Sequence, residues 1–252
     1  MPDADLEIDL SPVLQGEHDF ERLVDWVGTT VVGLQDRLDR VRAKLRGALT
    51  AAERTALGAV LERLQMLQIV ETSLAVGDVL PEFALPDTGG RVVASEALLA
   101  NGPMVLVFVR GTWCPYCSLA LQALDAARPP IEALGGTLVV VSPMLREQLA
   151  KVAADRGLGL TLLSDADGAY ARLCGVHYEM SDGHAALYQR FGLNLAQVNA
   201  GAGWALPIPA TYVVDRQGVI TFAHAEVDWA RRAEPADIVA AVARLDPPAD
   251  DG

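Results

Sequence analysis

The chain has 252 residues, 51% hydrophobic and 21% charged, the profile of a soluble globular protein rather than a disordered or fibrous one. Lys and Arg number 20 against 33 Asp and Glu, and the resulting net charge of −13 disfavours nucleic acid and anionic lipid as partners. Three cysteines exclude a disulfide-stapled secreted scaffold. The start, Met1-Pro2-Asp3-Ala4-Asp5, carries neither the basic nor the apolar region of a secretion signal, and the most concentrated apolar run, residues 104–109, is strand-sized. The expected location is the cytoplasm, where thiols stay reduced and a close cysteine pair points to metal binding or redox chemistry.

In chain order, an acidic first stretch holding Asp3, Asp5, Glu7 and Asp9 reads as a solvated end. Val24, Val27, Val31, Leu34, Leu38, Val41, Leu45 and Ala48 then recur in steps of three and four, a heptad seam. Thr50 and Glu53 form a capping box ahead of a second helix with Leu57, Val60, Leu61, Leu64 and Leu67 on one face. Together they predict a helical extension over 1–75, either packed on the body or serving as an oligomerisation arm, with a homodimer as one assembly it allows. An irregular lead-in follows, Leu80-Pro81-Glu82-Phe83-Ala84-Leu85-Pro86-Asp87, ending in a turn at Asp87-Thr88-Gly89-Gly90.

Residues 104–109 and 137–142 are Val-rich apolar runs of the kind buried parallel strands require, with a helix over 117–127 between them. Ser142 and Pro143 read as the N-cap and first residue of a helix ending at Gly157, and 160–163 as a third strand. Residues 211–215 and 219–224 flank Arg216-Gln217-Gly218 as a hairpin, and Pro235 opens a last helix to about Leu245. Between them, 177–206 shows only a helical piece near 185–191. The order predicts an α/β fold over 76–252: a central mixed sheet with helices on both faces.

The chemistry concentrates in Arg110-Gly111-Thr112-Trp113-Cys114-Pro115-Tyr116-Cys117, directly after a strand and opening a helix, the setting of a C-x-x-C redox motif. Unpaired amides and the dipole of a helix N-terminus favour a thiolate on Cys114. Pro115 suits the first turn, and Cys117, one turn deeper, can close a disulfide with it. Cys114 is the expected attacking thiol and Cys117 the resolving one. Arg110 either favours the thiolate or is a solvated strand-end residue. Trp113 is expected to shield the dithiol edge, and Cys174 to be a packed core thiol rather than a second resolving one. A zinc site needs further ligands that Cys174 and the four histidines do not supply at recognisable spacing, so neither metal nor organic cofactor is expected.

These residues carry a resemblance. The lead-in 80–87, the segment Val107 to Cys117, Leu163-Ser164-Asp165-Ala166-Asp167-Gly168, and Pro207-Ile208-Pro209-Ala210-Thr211-Tyr212-Val213-Val214-Asp215 resemble, in order and spacing, the peroxiredoxin-like branch of the AhpC/TSA family, on a thioredoxin-like fold. The resemblance implies a thiol-dependent oxidoreductase acting on a hydroperoxide or a disulfide. The reductant it implies is of thioredoxin, glutaredoxin or glutathione type. It also implies that Pro209 is a cis proline facing the dithiol, presenting the Ile208 backbone to substrate. Departures are informative. Peroxiredoxins place a proline seven residues and a Thr or Ser three residues before the reactive cysteine; here those positions are Val107 and Gly111, with Thr112 one residue off. Pro115-Tyr116 is instead the inner pair of dithiol glutaredoxins. Peroxide reduction, disulfide reduction and a non-catalytic interaction module built on the N-terminal helices are the three readings the sequence carries. Asp228-Trp229-Ala230-Arg231-Arg232-Ala233-Glu234-Pro235 also resembles a segment of this branch, with no chemical role derivable from its residues.

Overall fold

The computed structural model describes residues 33–199 and 203–245. The seam residues Val24, Val27 and Val31, the acidic first stretch and the tail from Pro247 lie outside the described residues.

The hairpin forms as its signals require. Helix α1 (Leu34–Ala48) buries Leu34, Leu38 and Val41, one face at heptad spacing. Helix α2 (Ala51–Met66) starts at the expected capping box: Thr50 Oγ1 accepts from the Glu53 amide at 3.3 Å, and Glu53 accepts from the Thr50 amide at 2.9 Å. A short α3 (Ile69–Thr72) leads into the body. The described part of the seam packs on the body, against the long helix α5 (Pro115–Ala133). Its buried face is therefore not available to a second chain.

The lead-in is more ordered than its sequence predicts. Strands β1 (Ala84–Pro86) and β2 (Val92–Ala94) pair antiparallel around a turn in which Asp87 Oδ1 accepts from the Gly89 and Arg91 amides, both at 2.9 Å. Helix α4 (Ser95–Asn101) follows.

The central sheet has the order β5-β4-β3-β8-β9. Strands β3 (Met104–Phe108), β4 (Thr137–Ser142) and β5 (Thr161–Ser164) are parallel, and β8 (Ala210–Val214) and β9 (Ile220–Ala225) close it antiparallel. Every residue of β3 is buried, as a strand covered on both faces demands of an unbroken apolar run. Asp215 Oδ1 holds the β8–β9 turn by accepting from the Gln217 and Val219 amides at 2.9 Å each.

Two expectations are corrected. Helix α5 runs past 127 through Pro129 and Pro130, because the fully buried Ile131 anchors its last turn and packing overrides the two lost amide donors. Ser142 does not cap a helix. It ends β4 opposite Ser164, and helix α6 (Arg146–Arg156) begins four residues later, stopping at left-handed Gly157 as expected.

The poorly legible region resolves into α7 (Ala169–Leu173), β6 (His177–Glu179), α8 (Asp182–Arg190), α9 (Leu195–Val198) and β7 (Ala205–Pro207). β6 pairs with β7 across the intervening helices. The last helix, α10 (Pro235–Ala243), packs on α5.

Helix α1 lacks a cap of its own, since its N-cap is Gly33. Glu234 supplies one from the other end of the chain, accepting from the Leu34 amide at 3.0 Å and the Gln35 amide at 2.7 Å. Glu234→Ala should cost about 1–2 kcal/mol, the value of a lost N-cap, and raise amide hydrogen exchange in α1 while the β3–β4 amides stay protected.

Candidate active site

The site is built where β3 gives way to α5. The ladder continues one residue past β3, with the Val109 amide donating to Val141 O at 3.0 Å. The chain then turns at Gly111, whose φ of +145° belongs to glycine, and a Cβ there would lie 2.2 Å from Trp113 Nε1. The Trp113 indole fills the space that a side chain at 111 would need. Cys114 is the N-cap of α5 and Pro115 its first residue. Cys114 is 2% exposed and Cys117 0%.

Two arginines define the electrostatics. Arg110 is only 2% exposed. Its guanidinium lies 5.3 Å from the Trp113 ring, 5.5 Å from Tyr188 and 5.0 Å from Trp229, donates to the Tyr188 hydroxyl, and places Nη1 3.9 Å from Cys114 Sγ. Arg232 Nη2 donates to Cys117 Sγ at 3.5 Å. Among the described residues no carboxylate pairs with either arginine. Each desolvated ring is worth roughly 2 kcal/mol to Arg110, so the aromatic box replaces water but leaves its charge unneutralised.

The dithiol is the anion within reach. Cys117 is held well below the ordinary thiol range by the hydrogen bond from Cys114 and by Arg232 and Arg110, against the opposing effect of burial. Cys114 is pushed well above it, by burial first and then by its hydrogen bond to and the charge of Cys117. The pair titrates as a unit: one proton leaves readily and the second is retained. At about 4 Å and an effective dielectric of about 20 one ion pair is worth ~4 kcal/mol. Burying an ion costs several kcal/mol. One guanidinium roughly balances the burial of a thiolate, and two tip the balance towards it. No side-chain cap bond forms at Cys114, and the charge of the pair is held by the arginines, Arg110 Nη1 beside Cys114 and Arg232 Nη2 beside Cys117.

In front of Cys114 lies a cavity of about 240 Å³. The body contributes Arg110, Trp113, Cys114, Tyr188 and Trp229, while Leu45 of α1, Leu49 just after it and Leu57 and Leu61 of α2 line it from the hairpin. Cys117 lies behind Cys114, outside the lining.

The other predicted residues divide. Trp113 and Tyr116 line the cavity, and Pro115 both lines it and starts the helix. Arg110 is not a solvated strand-end residue but the buried centre of the site. Thr112 is turned away: its hydroxyl and amide address Met144 Sδ at 3.4 and 3.1 Å, and its carbonyl accepts from Ser118 Oγ at 3.0 Å. Pro209 is not cis, since no cis peptide occurs among the described residues. It is buried outside the cavity lining, and the Ile208 amide is already taken by Val176 O at 2.7 Å, so it is not open to substrate. Cys174 is fully buried and pushed up to about 12 by burial, a packing thiol. His184 is buried between Tyr178 and Tyr188, and burial and then the Arg110 charge push it down to about 3, so it is neutral.

Sequence reasoning missed Tyr188, Trp229 and Arg232. The segment 228–235 carried a signal of resemblance, but only the fold brings it to the dithiol.

Residues 76–223 match the AhpC/TSA family. A Mycobacterium tuberculosis protein bearing a peroxiredoxin name is 34% identical over 104 residues, 41% of this chain and 67% of its own. Peroxidoxin BcpB from the same species aligns with a TM-score of 0.53 at 23% identity, covering 68% of this chain and 97% of that one. A peroxiredoxin-like protein from Aquifex aeolicus aligns with a TM-score of 0.52 at 16% identity, covering 68% and 86%. The family match, on a thioredoxin fold, defines a thiol oxidoreductase. The chain belongs to the AhpC/TSA family and is a peroxiredoxin-like enzyme of the thiol peroxidase class.

Arg232→Met should raise the pH midpoint of alkylation of the dithiol by about one unit or more, the effect of losing an adjacent opposite charge. A thiol ionisation lowered by folding stabilises the native state above the free value of about 8.5. That stabilisation fades as pH falls through the folded value, so urea unfolding should show wild type exceeding Arg232→Met by more at pH 9 than at pH 5. Gly111→Thr should not restore an ordinary peroxide site. It should instead destabilise by roughly 1–3 kcal/mol through backbone strain and the clash with Trp113, measured in the same unfolding assay.

Proposed function

We propose that the protein reduces hydroperoxides through a Cys114–Cys117 dithiol/disulfide cycle. The observation that carries this reading is a buried dithiol between two guanidiniums, with Cys114 alone opening onto a cavity. The recessed sulfur and the occupied Ile208 amide favour a small substrate over a protein disulfide.

The Cys114 sulfur attacks the terminal oxygen of the hydroperoxide and passes its proton to the Cys117 thiolate. The O–O bond breaks, the leaving alkoxide takes that proton from Cys117, which returns to the thiolate, and Cys114 becomes a sulfenic acid. Arg110, beside the reacting sulfur, stabilises the negative charge that develops on the oxygens. Cys117, again a thiolate beside Arg232, attacks the sulfenic sulfur, closes the disulfide and releases hydroxide, which leaves as water. Two electrons have moved from the dithiol to the peroxide, and an external reductant of thioredoxin, glutaredoxin or glutathione type restores them.

The test is hydroperoxide consumption with excess dithiothreitol. Cys114→Ser should lose more than about 10³-fold in kcat, as when a nucleophile is removed. Cys117→Ser, mixed with hydroperoxide before dithiothreitol is added, should stop after one turnover, with a dimedone-reactive sulfenic acid on Cys114. If wild type is no faster than Cys114→Ser, peroxide reduction is excluded and disulfide reduction is the reading to pursue.

A further inference from the structure

Arg110 reaches the reacting sulfur with one end of its guanidinium and a tyrosine with the other. Nη1 lies 3.9 Å from Cys114 Sγ, and Nη2 donates to the hydroxyl of Tyr188, 78 positions along the chain. Nε is buried without a hydrogen-bond partner. The three surrounding rings attract the charge, but attraction to a ring face does not choose which nitrogen points where. A hydrogen bond does, because it weakens steeply as its angle bends. The guanidinium is a rigid plane, so seating Nη2 on Tyr188 also sets the direction of Nη1.

Tyr188 is itself held. It lies on α8 one turn after His184, and its ring meets the His184 ring edge-on at 4.6 Å and the Trp113 ring at 5.9 Å. Ser181 caps that helix by accepting from the His184 amide at 3.3 Å. Burial pushes the Tyr188 hydroxyl upward, so it stays protonated and neutral. A second hydroxyl lies close to the same guanidinium. Tyr178 of β6 stacks on His184 at 6.2 Å, and its buried hydroxyl has no hydrogen-bond partner. The titratable groups facing Arg110 are therefore Cys114 and Cys117 of α5, Tyr178 of β6, and His184 and Tyr188 of α8.

We propose that Tyr188 is the positioning residue that aims the Arg110 guanidinium at Cys114, holding it away from the idle Tyr178 hydroxyl. Its part in turnover rests on the peroxidase reading above, in which Nη1 faces the oxygens that gain negative charge. Tyr188→Phe keeps the ring and its packing and removes only the bond that does the aiming.

The test measures hydrogen peroxide turnover and, with no peroxide present, the pH midpoint of iodoacetamide alkylation of the dithiol. Tyr188→Phe should lower kcat by about 10- to 100-fold, the scale of a misplacement of about 1 Å. It should raise the alkylation midpoint by about half a unit, because a positive charge has moved off the sulfur. Tyr178→Phe should leave both near wild type. In an Arg110→Met background Tyr188→Phe should have no further effect on either readout, because both changes act through one guanidinium. A role in packing alone would repeat the loss there. Unchanged readouts in Tyr188→Phe, an equal effect from Tyr178→Phe, or the same loss in the Arg110→Met background overturns the proposal. If wild type turns over no peroxide, the peroxidase reading fails, and the alkylation midpoints decide the positioning by the same comparison.

Discussion

A buried guanidinium without a carboxylate is the constraint on which this site depends. Arg110 lies among Trp113, Tyr188 and Trp229, which supply attraction but no countercharge. A buried cation left unpaired is costly. The dithiol answers it, lying between Arg110 and Arg232, which hold the Cys117 thiol well below its ordinary range. The reactivity of the thiols and the stability of the site are therefore one electrostatic arrangement, not two.

The segment between β9 and α10 joins the two halves of the molecule. Trp229 covers Arg110 and Arg232 reaches Cys117 on one side. On the other, Asp228 pairs with Arg42, Ala230 O accepts from Gln35 Nε2 at 3.0 Å, and Glu234 caps α1. A change in how α1 sits would be felt at the dithiol through fewer than ten residues. The hairpin, expected either to pack on the body or to serve as an oligomerisation arm, lines the cavity in front of Cys114.

Local signals were legible wherever the local chain decides the outcome. The capping box at Thr50, the stop at Gly157, the β8–β9 turn and the apolar strands β3 and β4 all follow from nearest-neighbour hydrogen bonding and burial. They failed where distant packing won. Pro129 and Pro130 stay in a helix because Ile131 is buried, Ser142 belongs to a strand because β5 pairs with it, and β6 and β7 need each other across a long insertion.

By itself, the sequence determined that this is an α/β redox protein with a dithiol at a helix start, because strand periodicity, the C-x-x-C spacing and the family resemblance are all read along the chain. It also placed Arg110 near Cys114, four residues away. Only the tertiary structure decided that Arg110 is buried, that Arg232 holds the second sulfur, that Thr112 and Pro209 are turned to other tasks, and that the hairpin closes over the site. The physical reason is separation: Cys117 and Arg232 are 115 positions apart, and Leu34 and Glu234 are 200 apart. Interactions over such distances leave no periodic trace in the chain and exist only once the sheet has brought its ends together.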